Sequence, residues 1–322
     1  MKLAKPHRTP SAMENSRMSG RFSQFARLTG LSLVAALLSG CGVIHQASQG
    51  ETALEAQGLN APVAFTRLPA QRYSPDDWPQ PLNADVYLPE ANGDLRPAAL
   101  VVHGGGWRNR GPEDMNDIAE QLAAQGYVTV NIEHRFAPEY HFPAQVHDLQ
   151  QAMRWLHNNA DDWQVDTDRI VGVGFSSGAH LVSLLALAGA QPPLAEPYGG
   201  KHTRLAAVMA GGVPSDLLKF DDGRLVVQFI GGTRAQKPKA YAQASPARQI
   251  SDQAPPFFIY HGRLDQLVPV DHATDFYAQL KAQGVNSELY LLRGRGHVTS
   301  FIIEGQAIEA GIAFLNQQVN TR

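Results

Sequence analysis

A serine between two glycines carries the clearest chemical signal in this sequence. Gly174-Phe-Ser-Ser-Gly178 has the form G-x-S-x-G, and Ser176 is its central serine. The apolar run Ile170–Gly174 precedes the motif and the small, apolar run Ala179–Leu187 follows it, which predicts a strand, a tight turn and a helix. Glycines permit so sharp a turn, and the turn exposes the serine hydroxyl. We therefore predict that Ser176 is a nucleophile rather than part of an ordinary glycine-serine turn.

Backbone amides near this serine are candidates for stabilising a developing oxyanion. Ser177 stands at the start of the predicted helix, where amides lack an intrahelical partner and the helix dipole favours negative charge. A second glycine-rich segment, His103-Gly-Gly-Gly-Trp107, follows an apolar run. Its glycines let the backbone approach a ligand, and it lacks the Lys-Ser/Thr of a phosphate-binding loop. We expect the amides of Gly105, Gly106 and Ser177 to form an oxyanion hole.

A nucleophilic serine needs a histidine to accept its proton and a carboxylate to orient that histidine. Of the 12 histidines, His297 lies in a glycine-rich loop just after the last predicted strand. Asp265 ends the segment His261-Gly-Arg-Leu-Asp265, which directly follows the apolar run Phe257–Tyr260. Both come after the serine, in the order acid and then histidine. We predict that Ser176, Asp265 and His297 form a catalytic triad. The alternative acids are Glu288 and Asp271.

Short apolar runs alternate with helical patterns along most of the chain. Strands that alternate with helices favour an α/β fold with a mostly parallel central sheet and helices on both of its faces. The predicted strands are residues 98–103, 128–132, 170–175, 205–209, 257–260 and 288–292. The predicted helices are residues 115–125, 149–156, 179–187, 270–283 and 301–317.

The composition narrows the function. The chain has 322 residues, 43% of them hydrophobic, and is long enough to bury a sizeable core. Lys and Arg total 27 against 30 Asp and Glu, so there is no basic field to bind nucleic acid. A single cysteine excludes an intrachain disulfide and a thiolate-rich metal site, and no H-E-x-x-H pair suggests zinc. Serine chemistry of this kind requires no metal or organic cofactor.

The first forty residues have the pattern of a bacterial export signal. The apolar run Leu28–Leu38 is preceded by Arg17, Arg21 and Arg27 and followed by small residues. The run is too short for a membrane span, which needs about 20 apolar residues. Translation starts at Met1 or at Met18, and a start at Met18 gives the basic segment a more typical length.

The residues around the cysteine indicate how the exported chain is held. Leu38-Ser-Gly-Cys41 resembles the bacterial lipobox, in which a lipid is attached to the cysteine and the signal is cleaved before it. The alternative is an ordinary signal peptide with an incidental cysteine. Gly42, where an Asp would indicate retention in the inner membrane, resembles the outer-membrane class of lipoprotein. The resemblance implies a lipid anchor on Cys41, with the folded part in the periplasm or outside the cell.

These patterns divide the chain into three parts. Residues 1–40 are the predicted signal peptide, residues 41–75 a predicted tether, and residues 76–322 the predicted catalytic domain. Two stretches, about 190–204 and 214–250, are rich in Pro, Gly and charge and match no strand. We expect them to leave the sheet at one edge, where the second could cover a site.

Several motifs together resemble a known family. They span roughly residues 80 to 315 and resemble the α/β-hydrolase esterases of the hormone-sensitive-lipase and feruloyl-esterase-like group. The resemblance implies an α/β-hydrolase fold and hydrolysis of carboxylic esters through an acyl-enzyme on Ser176. The motifs are His103–Trp107, Asn131–Glu139, Pro143–Trp155, Asp168–Ile170, Gly174–Leu181 and His261–Asp265.

Some positions depart from that family. Phe175 and Ser177 stand where Asp and Ala are common, and His134 stands where a Tyr is common. Together with Gly178-Ala-His180 and the H-G-G-x-W segment, they resemble the kynurenine formamidase branch. An arylformamidase is therefore an alternative to an esterase.

The side chains next to these motifs are candidates to line a substrate pocket. We expect Trp107, Phe175 and His180 to line it, and no long amphipathic lid is predicted, which favours soluble short-acyl or aryl esters. The segment His261–Pro269 resembles prolyl oligopeptidases, so a serine peptidase or amidase on the same fold is a further alternative. A surface lipoprotein that lost its activity is another, and the intact Ser, Asp and His argue against it.

Overall fold

A computed structural model describes residues 44–46, 58–221, 223–303 and 305–320. These residues form one sheet of nine strands in the order β1-β9-β8-β7-β6-β4-β5-β3-β2, where β4 to β9 run parallel and β1, β2 and β3 antiparallel to their neighbours. The strands are β1 Ile44–Gln46, β2 Phe65–Arg72, β3 Asn83–Pro89, β4 Arg96–Val102, β5 Val128–Ile132, β6 Val165–Phe175, β7 Val208–Gly211, β8 Phe257–Gly262 and β9 Ser287–Leu292.

Helices cover both faces of this sheet. In chain order the helices are α1 Asn116–Ala124, α2 Ala144–Asn158, α3 Ser177–Ala188, α4 Arg224–Ile230, α5 Pro238–Gln243, α6 Asp271–Ala282, α7 His297–Ile302 and α8 Gly305–Asn320. On one face of the sheet lie α2, α3 and α6, and on the other α1 and α8.

Strand β4 shows why the helices divide between two layers. All its residues from Ala98 to Val102 are buried, and successive side chains of a strand point to opposite faces. Ala98, Leu100 and Val102 pack with α2, α3 and α6, whereas Ala99 and Val101 pack with α1 and α8. Burial on both faces requires a continuous apolar run, and this is the pattern that the sequence has. The predicted mostly parallel sheet with helices on both faces is confirmed.

Some predicted boundaries are wrong. The tether predicted for residues 41–75 includes strand β2, which pairs with β3, and strand β1, which pairs with β9. Both are edge strands, and β2 leaves most of its side chains exposed. Such a strand is held mainly by main-chain hydrogen bonds, so it lacks the apolar signal of a central strand. The helix predicted for 301–317 is two helices, α7 and α8.

The N-terminal predictions fall on residues that the structure does not describe. The signal peptide predicted for residues 1–40 and the lipidation site Cys41 lie outside the described ranges. Among the residues that are described, no helix has both the length and the apolar character needed to cross a bilayer.

Candidate active site

Ser176 occupies a strained turn between β6 and α3. Its backbone φ is 55° and ψ is −122°, a conformation that residues other than glycine rarely adopt. Its amide donates a 2.7 Å hydrogen bond to the Gly211 carbonyl. Both motif glycines are sterically required. A Cβ on Gly174 would lie 2.5 Å from the Gly178 carbonyl carbon, and one on Gly178 would collide with the Val102 carbonyl oxygen. The turn therefore holds the serine at the carboxyl edge of the sheet.

His297 connects this serine to a carboxylate. Its Nε2 lies 2.8 Å from Ser176 Oγ, and its Nδ1–H donates to Asp265 Oδ2 at 2.6 Å. The residue begins α7, just past β9, and its ring packs against Phe175. The structure thus brings together the three side chains predicted from the sequence. A hydroxyl, an imidazole and a carboxylate in this order form a path along which the hydroxyl proton can move to the histidine.

Asp265 is buried and held by four donors. Its Oδ1 accepts from the amides of Leu267 and Val268 at 3.0 and 2.8 Å. Its Oδ2 accepts from His297 and lies 3.3 Å from His261 Nε2. Burial by itself raises the pKa of this carboxyl, but the hydrogen bonds from His261 and His297 outweigh burial and hold the pKa below its usual range. The carboxylate is therefore ionised beside His297.

His261 is a contact that the sequence analysis missed. Its Nε2 also faces the Val268 carbonyl at 2.8 Å, so the ring joins Asp265 to the segment that follows it. The signal was present in the spacing, because His261 comes four residues before Asp265 in the segment already singled out. That the ring folds back onto the carboxylate depends on the turn between them.

The two alternative acids form ion pairs elsewhere. Glu288 Oε2 lies 2.7 Å from His45 Nε2 at the β1 edge of the sheet. Asp271 lies 2.8 Å from Lys219 Nζ at the start of α6. The structure therefore favours Asp265 as the partner of His297.

The glycine loop after β4 lies against the serine turn. A Cβ on Gly104 would sit 3.4 Å from the Cβ of Ser176, and Gly105 and Gly106 have φ values of 109° and 62°. These positive values are accessible to glycine at little cost. Gly106 and Ser177 line one cavity together with Ser176, and Ser177 is the first residue of α3. The three predicted oxyanion donors thus belong to segments that meet at the serine.

Two stacked histidines lie behind this loop. The rings of His103 and His134 are 4.5 Å apart and nearly parallel, and His103 Nδ1–H donates to the Gly104 carbonyl at 2.7 Å. Burial lowers the pKa of His103 to about 4 and that of His134 to about 3. Both rings are neutral at pH 7, so they stack without repulsion.

Two cavities meet at Ser176. The first, of about 300 Å³, is here called the apolar cavity. The second, of about 330 Å³, also includes His297 and is here called the arginine cavity. The apolar cavity is walled by Trp107, Pro214, Phe220, Leu225, Val226 and Val268. The arginine cavity is walled by Arg108, Asn109, Arg110, Asp114, Phe175 and Phe301.

The structure corrects one predicted pocket residue. Trp107 and Phe175 line the cavities as expected, and so do residues of the segment 214–250. His180 does not, because it is fully buried in α3. Its Nδ1 accepts from Trp107 Nε1 at 3.2 Å and its Nε2 donates to the Ala244 carbonyl at 2.6 Å. His180 therefore holds the indole that forms the wall.

Within the described ranges, no group of three or more His, Cys, Asp or Glu side chains has the arrangement of a metal site. The site is built from a serine, its hydrogen-bonded partners and backbone amides.

A comparison with protein-family models identifies the family of this chain. The family model described as BD-FAE matches residues 84–280, more than half of the chain. The chain belongs to the BD-FAE family. The match begins in β3 and ends in α6, so it includes Ser176 and Asp265 and stops before His297.

Relatives of this BD-FAE protein include named esterases. Esterase LipC of Mycobacterium tuberculosis is 31% identical over 70% of this chain and 59% of its own length. The isoprenylcysteine alpha-carbonyl methylesterase ICME of Arabidopsis thaliana is 26% identical over 69% of this chain and 55% of its own. The chain spans about half the length of the curated relatives that it matches.

Solved structures confirm the α/β-hydrolase fold of the BD-FAE chain. The Thermogutta terrifontis esterase Est2 covers 82% of this chain and 93% of its own at a TM-score of 0.66 and 22% identity. The bifunctional GH43-CE protein of Bacteroides eggerthii is 26% identical at a TM-score of 0.70, and it covers 79% of this chain and 35% of its own.

Proposed function

We propose that this BD-FAE protein is a serine carboxylesterase. The observation that carries the proposal is the unbroken hydrogen-bonded chain from Asp265 through His297 to Ser176 Oγ. The named esterases among its relatives support the same reaction. In this proposal Asp265 stays ionised, His297 is the base and Ser176 is the nucleophile.

The first half of the reaction forms an acyl-enzyme. Ser176 Oγ attacks the carbonyl carbon while its proton moves to His297 Nε2, and Asp265 stabilises the imidazolium. The amides of Gly105, Gly106 and Ser177 donate to the carbonyl oxygen as it becomes negative, and losing one such donor typically costs about a hundredfold in rate. The imidazolium then protonates the leaving alcohol as its bond to the acyl carbon breaks.

The second half releases the acid. Water gives a proton to His297 and attacks the acyl carbon, and Ser176 leaves and regains its proton. No step needs a metal or an organic cofactor.

The position of His297 supports a proposed role for each cavity. The leaving oxygen must lie within hydrogen-bond reach of His297 Nε2, so the alcohol part of the ester occupies the arginine cavity, which His297 lines. The acyl chain then occupies the apolar cavity on the other side of the serine. A cavity of about 300 Å³ lies at the small end of the usual range for ligand pockets. The proposed substrates therefore carry a short acyl chain or one aromatic ring.

A fluorophosphonate probe tests the nucleophile. It should label the wild-type chain and Ser183→Ala, whose serine is buried in α3, but not Ser176→Ala. Labelling of Ser176→Ala would rule out this nucleophile. A panel of 4-nitrophenyl esters, a formanilide and aminoacyl anilides tests the reaction class, and we expect esters to be cleaved at least about tenfold faster than the others. Faster cleavage of the formanilide or of the anilides would instead identify a formamidase or a peptidase.

We also propose that a lipid on Cys41 anchors the exported chain to a bacterial membrane, with the outer membrane favoured. The residue pattern before Cys41 supports this proposal. Mass spectrometry of the membrane-extracted chain should show a cleaved, acylated N-terminus at Cys41, and Cys41→Ala should remain uncleaved. A chain cleaved elsewhere with a free thiol would contradict the anchor.

A further inference from the structure

Exposed apolar side chains are concentrated beside the active site. Among the described residues, seven large apolar side chains are exposed. Five of them lie on the two segments that carry Asp265 and His297. These five, here called the apolar rim, are Leu264, Leu267, Val298, Ile302 and Ile303. Each is between 52% and 63% exposed except Ile302, which reaches 70%.

The rim is continuous across both segments. Leu267 and Val298 line the arginine cavity together. Val298 and Ile302 are four residues apart in α7, so they lie on one helical face. The Leu264 amide donates to the Arg295 carbonyl at 2.8 Å, which joins the first segment to the loop before α7. An exposed apolar surface of this kind marks a site of interaction rather than scattered exposure.

Three arginines border the rim. Arg263 and Arg293 are exposed and Arg295 is half-buried. None of the three forms an ion pair with another described residue. Asp265 is buried and held by His297, and Glu304, which follows Ile303, lies outside the described residues. Apolar side chains bordered by arginines that have no ion pair among the described residues match the two layers of an anionic lipid surface, acyl chains below and phosphates above.

Strand β1 begins at the end of the sheet that carries the rim. In strand β1, Ile44 is opposite Leu291, one residue before β9 ends, and β9 leads into the loop before His297. In the sequence Cys41 comes three residues before Ile44. The first residue of the strand that follows Cys41 therefore lies at the end of the sheet that carries the rim.

We propose that the apolar rim and its arginines dock onto an anionic bilayer, so that the active site faces the membrane and takes esters from the lipid phase. The docking follows from the rim and its arginines, and the uptake of esters rests on the proposed function. It revises the expectation of freely soluble substrates, because an ester dissolved in the bilayer reaches the arginine cavity beside Leu267 and Val298.

A probe at the rim tests the docking. Once Cys41 carries its lipid, the chain has no other cysteine, so Ile302→Cys provides a unique thiol for a fluorophore. Leu95→Cys is the matched control. Leu95 is 59% exposed and directly precedes β4, so it lies at the amino end of the parallel strands, whereas the rim lies at their carboxyl end. In vesicles of phosphatidylcholine and phosphatidylglycerol, lipids with spin labels in their acyl chains should quench the probe at 302 severalfold more than the probe at 95. Equal quenching at both positions would overturn the proposal.

An activity ratio separates the docking from the esterase reaction. The triple variant Leu264→Gln/Ile302→Gln/Ile303→Gln changes rim residues that line neither cavity, so hydrolysis of a soluble 4-nitrophenyl ester should be unchanged. Hydrolysis of a fluorogenic ester dissolved in the same vesicles should fall about tenfold. If both rates stay at wild-type values, the docking is wrong. If the wild type cleaves neither ester, the proposed function fails, and the quenching experiment still decides the docking. If mass spectrometry shows no lipid, the same probes on a Cys41→Ser chain test the rim alone.

Discussion

The two cavities that meet at Ser176 differ in how they recognise a ligand. The apolar cavity is closed by Trp107, Phe220 and Val226, and it distinguishes groups by size and shape. The arginine cavity contains Arg108 and Arg110 and is bordered by the exposed rim, so we expect charge and lipid contact to contribute more there than in the apolar cavity. Both cavities are lined by Ser176, the proposed nucleophile. Specificity for the acyl and alcohol parts of a substrate can therefore be changed separately, whereas the chemistry cannot.

The largest expected effect comes from a change at Asp265, which acts through His297 on the serine that both cavities share. Asp265→Asn should lower kcat by about 10⁴ for every ester, because the amide cannot hold His297 in the tautomer that accepts the serine proton. The rate loss should be the same for long and short acyl chains. Glu288→Gln is the control, since Glu288 forms an ion pair with His45 of the edge strand β1 and lines neither cavity. Steady-state rates measure both variants, and a larger loss in Glu288→Gln would reassign the acid.

A second prediction concerns the pH dependence of the three buried histidines behind the cavity walls. Burial lowers the pKa of His103, His134 and His180 from 6.5 to about 4, about 3 and about 4. A group whose pKa is lowered by folding stabilises the fold fully above its unfolded pKa, and this stability is lost as the pH falls below about 6.5. At pH 5.5 each of these histidines should cost about 1 kcal/mol of unfolding free energy.

Urea unfolding at pH 7.5 and 5.5 measures this loss. His134→Tyr removes one titrating ring and should lose less stability between the two values than the wild type does. His141→Gln, at an exposed histidine, should behave as the wild type. Equal losses in all three proteins would mean that the buried rings are not responsible.

The predicted site residues that the structure brings together are those whose signal is local. The strand, turn and helix around Ser176 are predicted by a pattern of consecutive residues. The steric need for Gly174 and Gly178 follows from the same turn. Asp265 and His297 follow predicted strands, and the carboxyl ends of parallel strands meet at one edge of a sheet. The fold class and the turn that carries Ser176 could therefore be predicted without a structure.

The features that were missed depend on contacts between distant segments. Strand β2 is defined by its pairing with β3, and its own side chains are mostly exposed. His180 was expected to line the pocket because it follows the serine motif, but the helix turns its ring toward Trp107 and the Ala244 carbonyl. The apolar rim was missed because its members come from two segments that meet only after folding.

The apolar cavity can be changed without affecting the other cavity. Val226 is 3% exposed and lines it from α4, so Val226→Phe should shorten the cavity. We expect kcat/KM for an octanoate ester to fall about tenfold or more relative to the acetate, since each methylene in such a pocket is worth roughly 1–3 kcal/mol. Val298→Phe, in the arginine cavity, should leave the chain-length preference unchanged. A change of that preference by Val298→Phe alone would reverse the assignment of the two cavities.

The smallest expected effect concerns charge in the arginine cavity. Arg108 is half-buried, and its Nη1 donates to the Gln228 side chain at 3.3 Å rather than to a carboxylate, which leaves its charge available to a substrate. Arg108→Gln should lower kcat/KM for the acetate ester of 4-hydroxybenzoate about fivefold relative to phenyl acetate, because a partly exposed ion pair is worth about 1 kcal/mol. Arg224→Gln is the matched control, since Arg224 lines the apolar cavity, and it should leave this ratio unchanged. An equal fall in both variants would show that the two arginines act through a common field, so that the cavities do not divide the substrate as the position of His297 indicates.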